Sequence, residues 1–174
     1  MPEIFFTTEL ATPIGLLTLE ASRAALVAIR WPAEPIDVRS DPRVERISVE
    51  SDAHPMLAAT ASQLDEYFRG ARRTFDLVLG ARGTTFQTDV WSQLLRIPHG
   101  RTTTYGALAE ALGDRDKARA VGAAGGRNPL PIVVPCHRVI GAKGSLTGYA
   151  GGLEAKRWLL DFEGARTELP FDPA

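Results

Sequence analysis

The apolar residues of this chain change their spacing near residue 80, and no other feature limits the fold as strongly. Before that point they fall in short runs between turn formers. The runs 14–20 (Leu16, Leu17 and Leu19) and 25–31 (Leu26, Val27 and Ile29) have the form of a β-hairpin. The stretch 32–55 is rich in Pro, Asp, Ser and Arg and predicts a long irregular connection. Met56, Ala59, Thr60, Leu64, Tyr67 and Phe68 share one helical face, and Gly70 stops it. Residues 73–79 alternate as a further strand would. These elements make a small α/β domain over 1–80, with 81–83 as the linker.

From residue 84 to 174 the period becomes about 3.6, as in helices. Phe86, Val90, Trp91, Leu94, Leu95 and Ile97 form a stripe, Thr84 with Gln87 fits a capping box, and Pro98 with Gly100 ends the segment. Thr104 caps a second helix carrying Tyr105, Leu108, Ala109 and Leu112, which Gly113 terminates. Asp114 caps a third, running from Arg115 to Ala124. Two short helices joined by Gly113-Asp114 have the form of a helix-turn-helix. In the third helix, Ala118, Val121 and Gly125 face the second, while Arg115, Arg119 and Ala123 lie outside. Small residues beside arginines allow close approach to a phosphate backbone, but the same pattern also describes a packed Ala/Gly helix with solvated arginines.

Composition narrows the class. With 174 residues, 44% of them hydrophobic and 24% charged, the chain is long enough to bury a core without staples. No apolar run approaches the roughly 18 residues of a membrane span, and the N-terminus lacks the basic-then-apolar pattern of a signal peptide, so a cytoplasmic protein is expected. The net charge of −1 argues against a strongly basic nucleic-acid binder, yet it conceals a division. Residues 1–80 hold 8 arginines and no lysine against 12 acidic residues, whereas residues 81–174 hold 12 basic against 9 acidic. The second part is the basic one and is the better match for an anionic partner.

The single cysteine, Cys136, excludes an intrachain disulfide and a multi-thiolate zinc site. It sits in the sequence Pro135-Cys136-His137-Arg138, after the apolar run Ile132-Val133-Val134, in a proline-rich segment that predicts a rigid, extended, non-helical arm. A thiol with a free pKa near ~8.5 needs a base or a cation to act as a nucleophile at neutral pH. His137 is adjacent, but neighbouring side chains on an extended chain point apart, so coupling through a water or a bent backbone is expected. Glu163 closes the last helix, just before Gly164. A carboxylate there opposes the helix dipole by ~0.3–1 kcal/mol, so another group should hold it, and His137 is a candidate partner.

These residues resemble the O6-alkylguanine-DNA alkyltransferases over nearly the whole chain. The segment Thr12-Pro13-Ile14-Gly15 through Leu19 resembles the family's N-terminal strand. Phe86-Gln87, Val90-Trp91 and Ile97-Pro98-His99-Gly100 resemble its first C-terminal helix. Tyr105-Gly106, Leu108-Ala109 and Ala118-Arg119-Ala120-Val121-Gly122 resemble its helix-turn-helix. Asn128-Pro129, Pro135-Cys136-His137-Arg138-Val139 and Gly148-Tyr149 with Gly151-Gly152 complete the ordered set.

The resemblance implies a fold of class α/β + α: an N-terminal ribonuclease-H-like domain followed by a helical domain with a helix-turn-helix. It implies direct-reversal DNA repair, in which Cys136 takes the alkyl group from O6-alkylguanine irreversibly and once per molecule, without a cofactor. O4-alkylthymine is left open as a second substrate. By the same resemblance His137 is the base, acting through a water, Glu163 orients His137, and Tyr105 is the proton donor. Asn128 braces the cysteine segment. Tyr149, the Ala150 backbone N–H and the Cys136 and Val139 carbonyls receive the base. Arg119 fills the stack left by the flipped nucleotide, and Ala118 and Ala120 permit close approach in the minor groove of double-stranded DNA. A monomer is implied, with cooperative assembly on DNA left open.

Four departures stand out. Arg101 replaces a commonly acidic residue and adds a candidate phosphate contact. Gly125-Gly126 stands where Asn-Gly is common, and Ala150 where some members carry serine. One cysteine leaves no N-terminal zinc site, and the transcription-activating domain of some bacterial relatives is not expected. A Cys–His hydrolase, a plain helix-turn-helix regulator and a non-catalytic lesion binder are the competing readings. The first leaves Arg119 and the helix-turn-helix without a role, the second leaves Cys136-His137 without one, and the third is opposed by Cys136 itself.

Overall fold

A computed structural model describes residues 3–32 and 44–165. The backbone divides into two compact units, Met1–Arg82 and Gly83–Ala174.

The first unit is a four-stranded sheet and a helix. Strands β1 (Glu3–Thr12), β2 (Gly15–Ala21), β3 (Leu26–Arg30) and β4 (Val44–Ser48) lie in the order β3-β2-β1-β4. The first three are antiparallel neighbours, and β4 runs parallel to β1. The β1–β2 hairpin turns between Thr12 and Gly15. Gly15 takes a φ of +113°, which a side chain would resist, and Thr12 Oγ1 donates to its carbonyl at 2.6 Å. Helix α1 (Pro55–Phe68) starts with proline in its first turn and buries Leu57, Thr60, Leu64 and Tyr67, one face as the periodicity predicts.

Two expectations for this unit are corrected. Within the stretch read as a loop, residues 33–43 lie outside the described residues, but Val44–Ser48 is a strand. It pairs in parallel with β1, and Arg46 Nε reaches across β1 to the buried Glu20 carboxylate on β2 at 3.0 Å. Residues 73–79 do not form a strand. Gln63 of α1 takes both backbone groups of Asp76, each at 2.8 Å, and only the bridge between Leu26 and Leu79 joins the segment to β3. A side chain has satisfied the donor and acceptor that a sheet neighbour would have used.

The second unit is helical. Helix α2 (Thr85–Leu94) begins with the expected capping box: Gln87 N donates to Thr84 Oγ1 at 3.3 Å and Thr84 N to Gln87 Oε1 at 2.9 Å. It buries Val90, Trp91 and Leu94. Strand β5 (Thr103–Thr104) leads into α3 (Tyr105–Ala111), capped by Thr104 Oγ1, and Gly113 turns the chain with a φ of +90°. The third helix differs from expectation. Asp114 caps a single 3-10 turn, Arg115–Lys117, and the α-helix proper, α4, runs over Ala118–Gly126. Its buried residues are Val121 and Ala124, with Gly125 only half-buried, and Trp91 Nε1 locks it to α2 by donating to the Ala124 carbonyl at 2.9 Å. Strand β6 (Val139–Ile140) pairs in parallel with β5, and α5 (Gly152–Phe162) closes the unit. Among the described residues, no helix is long and apolar enough to cross a membrane.

The Glu20–Arg46 pair gives a direct test of the first unit. Glu20→Ala leaves a half-buried arginine without its carboxylate and should lower stability by about 1–3 kcal/mol, the scale of a lost charge-assisted hydrogen bond. Gln63→Ala should cost less, because Asp76 is exposed to water. Chemical denaturation of the two variants checks both the size and the order.

Candidate active site

The site is built on the turn that carries Cys136. Asn128, nearly buried after α4, folds the preceding loop around its side chain. Its Oδ1 accepts from Leu130 N at 3.0 Å, and its Nδ2 donates to the Val134 carbonyl at 2.8 Å and to Cys136 Sγ at 3.2 Å. Between those anchors Ile132 sits buried with a φ of +74°, a left-handed conformation that a β-branched residue enters only when its surroundings force it. Pro135 follows in an inverse γ-turn, closed by Cys136 N donating to the Val134 carbonyl at 2.8 Å. Cys136–Arg138 then form a 3-10 turn. The expected extended arm is therefore corrected: prolines and Asn128 together make a chain of tight turns.

That turn sends His137 inward. It is fully buried, and its Nε2 lies 2.9 Å from Glu163 Oε1. A carboxylate only accepts, so Nε2 carries the hydrogen and Nδ1 presents a lone pair. Nδ1 is buried and has no hydrogen-bond partner among the described residues, which leaves it the basic atom of the ring. Burial pushes the imidazole below its usual value. The Glu163 bond pulls it back up only in part, while Arg138 and Lys156 oppose its charge, so His137 is neutral near pH 7.

Glu163 caps α5 and is itself held by more than the histidine. Arg138 Nε donates to Oε2 at 2.9 Å and Arg138 Nη2 to Oε1 at 2.8 Å, a two-pronged pair. Gly100 N adds a bond to Oε2 at 3.3 Å. Arg138 Nη1 also donates to the Ile97 carbonyl at 2.6 Å. Burial alone would raise the carboxyl, but the hydrogen bonds from His137 and Arg138 outweigh it and hold Glu163 well below the usual carboxylate range. The unfavourable position at a helix C-terminus is thereby offset.

Cys136 lines a small pocket whose walls include Tyr105, Val139, Gly148, Tyr149 and Ala150. It continues as a surface cleft to Ala118 and Arg119 on α4. Of the residues singled out in the sequence, the fold thus gathers Cys136, His137, Glu163, Asn128, Tyr105, Tyr149, Ala150 and Val139 in one region, with Ala118 and Arg119 at its mouth. Arg119 and Ala120 are exposed on α4, and Arg101 is exposed on the loop before β5. Tyr105 is half-buried, and removal from water raises its phenol above the usual value.

Three residues of the region were not singled out. Arg138 is the second partner of Glu163. Lys156 is wholly buried, with Nζ donating to the Val139 carbonyl at 2.6 Å and to the Thr147 carbonyl at 2.8 Å, and burial lowers its pKa to about 8. Thr147 touches Tyr105. A signal for Lys156 existed: it lies three and four residues before Leu159 and Leu160, on the buried face of α5.

Comparison with known proteins accounts for this combination. Residues 6–80 match the ribonuclease-like domain, and residues 85–165 the DNA binding domain, of 6-O-methylguanine DNA methyltransferase. A methylated-DNA–protein-cysteine methyltransferase from Methanosarcina acetivorans is 53% identical over 154 residues, 88% of this chain and 95% of the relative. One from Mycobacterium tuberculosis is 43% identical over 155 residues, 89% of this chain and 90% of the relative. The solved O6-methylguanine methyltransferase of M. tuberculosis superposes with a TM-score of 0.80 at 41% identity, covering 92% of this chain and 93% of its own. The structure of the M. tuberculosis protein in complex with DNA gives 0.80 at 40% identity and 96% of each chain. Fold and site together define a two-domain methyltransferase with a DNA-binding half. The chain belongs to the 6-O-methylguanine DNA methyltransferase family.

The buried triplet predicts an acid limb in stability. His137 has a lowered pKa in the fold, so the unfolded chain binds more protons once the pH falls below about 6.5, and stability drops from there. Glu163 is also lowered and adds a second loss below about pH 4.5. Urea midpoints measured from pH 8 to pH 4 should decline in that order. Asn128→Ala should cost about 1–3 kcal/mol, chiefly for the Leu130 N–H it orphans, because the Val134 carbonyl keeps its bond from Cys136 N.

Proposed function

We propose that this protein repairs O6-alkylguanine in double-stranded DNA by moving the alkyl group to Cys136, once per molecule. The observation that carries the reading is the fully buried His137, bonded through Nε2 to Glu163, next in sequence to a thiol that lines a pocket shared with Tyr105, Val139 and Tyr149. Residues 1–80 and 84–174 are taken as the two domains, the second holding both DNA surface and chemistry.

The proton of Cys136 passes through a water to His137 Nδ1, and Glu163 stabilises the imidazolium that results. The sulfur attacks the alkyl carbon in line. The S–C bond forms as the C–O6 bond breaks, and that electron pair goes to the guanine. Tyr105 gives its phenolic proton to the base as charge develops, so that in sum the thiol proton replaces the alkyl group. The product is a thioether, which no group in the site can hydrolyse, and no cofactor takes part. Asn128 keeps the sulfur in place from behind.

Access requires the damaged nucleotide to leave the stack. Arg119 stands at the mouth of the cleft, where it can fill the vacancy, and flipping costs a few kcal/mol without such a substitute. Ala118 and Ala120 let α4 approach in the minor groove, and Arg101 meets phosphate. Tyr149 covers the base, the Ala150 N–H faces O6, and the Cys136 and Val139 carbonyls accept from the exocyclic amine. Lys156 occupies one lone pair of the Val139 carbonyl and leaves the other for the base. We read the protein as a cytoplasmic monomer, with O4-alkylthymine as a second substrate and cooperative assembly on DNA as separate questions for the same assay.

Intact-protein mass after incubation with O6-methylguanine duplex tests the reading. One methyl should be added per molecule, on Cys136, and none to Cys136→Ala. Multiple turnover, or the absence of any adduct, refutes it. Arg119→Ala should slow transfer from duplex by at least ~10-fold, the scale of a lost flipping contact, while reaction with free O6-benzylguanine stays near the wild-type rate.

A further inference from the structure

The proton donor of this reading has neighbours that the reading does not use. Thr147, on the stretch between β6 and α5, places Oγ1 3.3 Å from the Tyr105 phenol oxygen and donates to it. The phenol in turn donates to the Thr147 carbonyl, at a longer 3.4 Å. That carbonyl already accepts from Lys156 Nζ at 2.8 Å, and the same ammonium holds the Val139 carbonyl on β6. Lys156 Nζ also stands 5.9 Å from the centre of the Tyr105 ring.

This arrangement suits a phenol that must release its proton elsewhere. In the resting site the hydroxyl hydrogen rests on the Thr147 carbonyl by a weak bond. When it swings to a base in the cavity, that carbonyl is not orphaned, because Lys156 still donates to it. The acceptor therefore keeps a donor throughout. As the proton transfers, negative charge grows on the phenol oxygen, and a donor already aimed at that oxygen strengthens with the charge. The Thr147 hydroxyl is such a donor. Burial raises the Tyr105 phenol, the Thr147 hydrogen bond draws it down, and the nearby Cys136 raises it again, so the threonine acts against the other two.

We propose that Thr147 is a positioning residue for the transfer step: its hydroxyl orients the Tyr105 phenol and stabilises the phenolate as the proton passes to the departing base, while Lys156 holds residue 147 within reach. The inference rests on Tyr105 being the proton donor. No new covalent step is involved. The phenol O–H bond breaks, an N–H bond forms on the purine, and the phenolate recovers a proton from water.

Thr147 is exposed, so substitution there leaves the core intact. The test compares Thr147→Val, Thr147→Ser and Tyr105→Phe as full-length proteins. Transfer rates are measured on free O6-benzylguanine and on its 8-aza analogue, whose electron-poor ring departs with less protonation. Thr147→Val should slow reaction with O6-benzylguanine by about 10-fold and with the 8-aza analogue by less than about 3-fold, as expected of help to a leaving group. The tyrosinate absorbance of Tyr105, taken as the difference from Tyr105→Phe, should titrate at higher pH in Thr147→Val, and Thr147→Ser should restore both readouts. Equal slowing on the two substrates, an unmoved titration, or no slowing at all overturns the inference. The underlying reading fails separately if Tyr105→Phe reacts at the wild-type rate.

Discussion

One buried carboxylate organises the second unit. Glu163, at the end of α5, receives hydrogen bonds from two places in the chain: Gly100 after α2, and the adjacent His137 and Arg138 in the cysteine turn. A charge removed from water is tolerable only when its lone pairs are filled with good geometry, and here they are. Each donor is then fixed by the same need. The histidine has one tautomer, the arginine one orientation, and the helix one way to end. The tautomer that points the N–H of Nε2 at the carboxylate follows from satisfying that anion.

The loop that presents the thiol shows the complementary device. Asn128 behaves as a piece of backbone, supplying one acceptor and a donating amide to a segment whose prolines cannot pair with each other. The positive φ of Ile132 is the cost of the sharp return, and it persists because the loop is buried and bonded at both ends. A flexible loop could reach the same place, but it would not hold a sulfur to within a fraction of an ångström.

Helices and their caps were legible in the sequence because they arise from local chemistry. Thr84 with Gln87, Thr104, and the glycines at 70 and 113 act on groups within four residues of themselves. The Pro-Cys-His-Arg run and Glu163 were legible for a different reason, since a nucleophile needs a base and a carboxylate at a helix end needs a partner. What escaped depends on distant charge or on competition. Strand β4 is tied by Arg46 to a glutamate 26 residues away, so its pattern looks like a polar loop. Residues 73–79 alternate correctly, yet Gln63 claims their backbone first. Lys156 reads as a surface lysine until the two carbonyls that surround its ammonium are seen. The continuous helix expected from Arg115 begins as a 3-10 turn, a difference of one turn that local propensity does not resolve.

The order of these parts along the chain has a consequence for synthesis. Helix α5, which brings both Glu163 and Lys156, follows every other described element of its unit. A nascent chain that has emerged only as far as Cys136 exposes its sulfur without the carboxylate that sets the histidine and without the ammonium that secures residues 139 and 147. Domains form as units during translation, at about 5–20 residues per second, so that interval lasts on the order of seconds. The sulfur is therefore without these partners of its turn while the chain is being made, and its surroundings are completed when helix α5 docks.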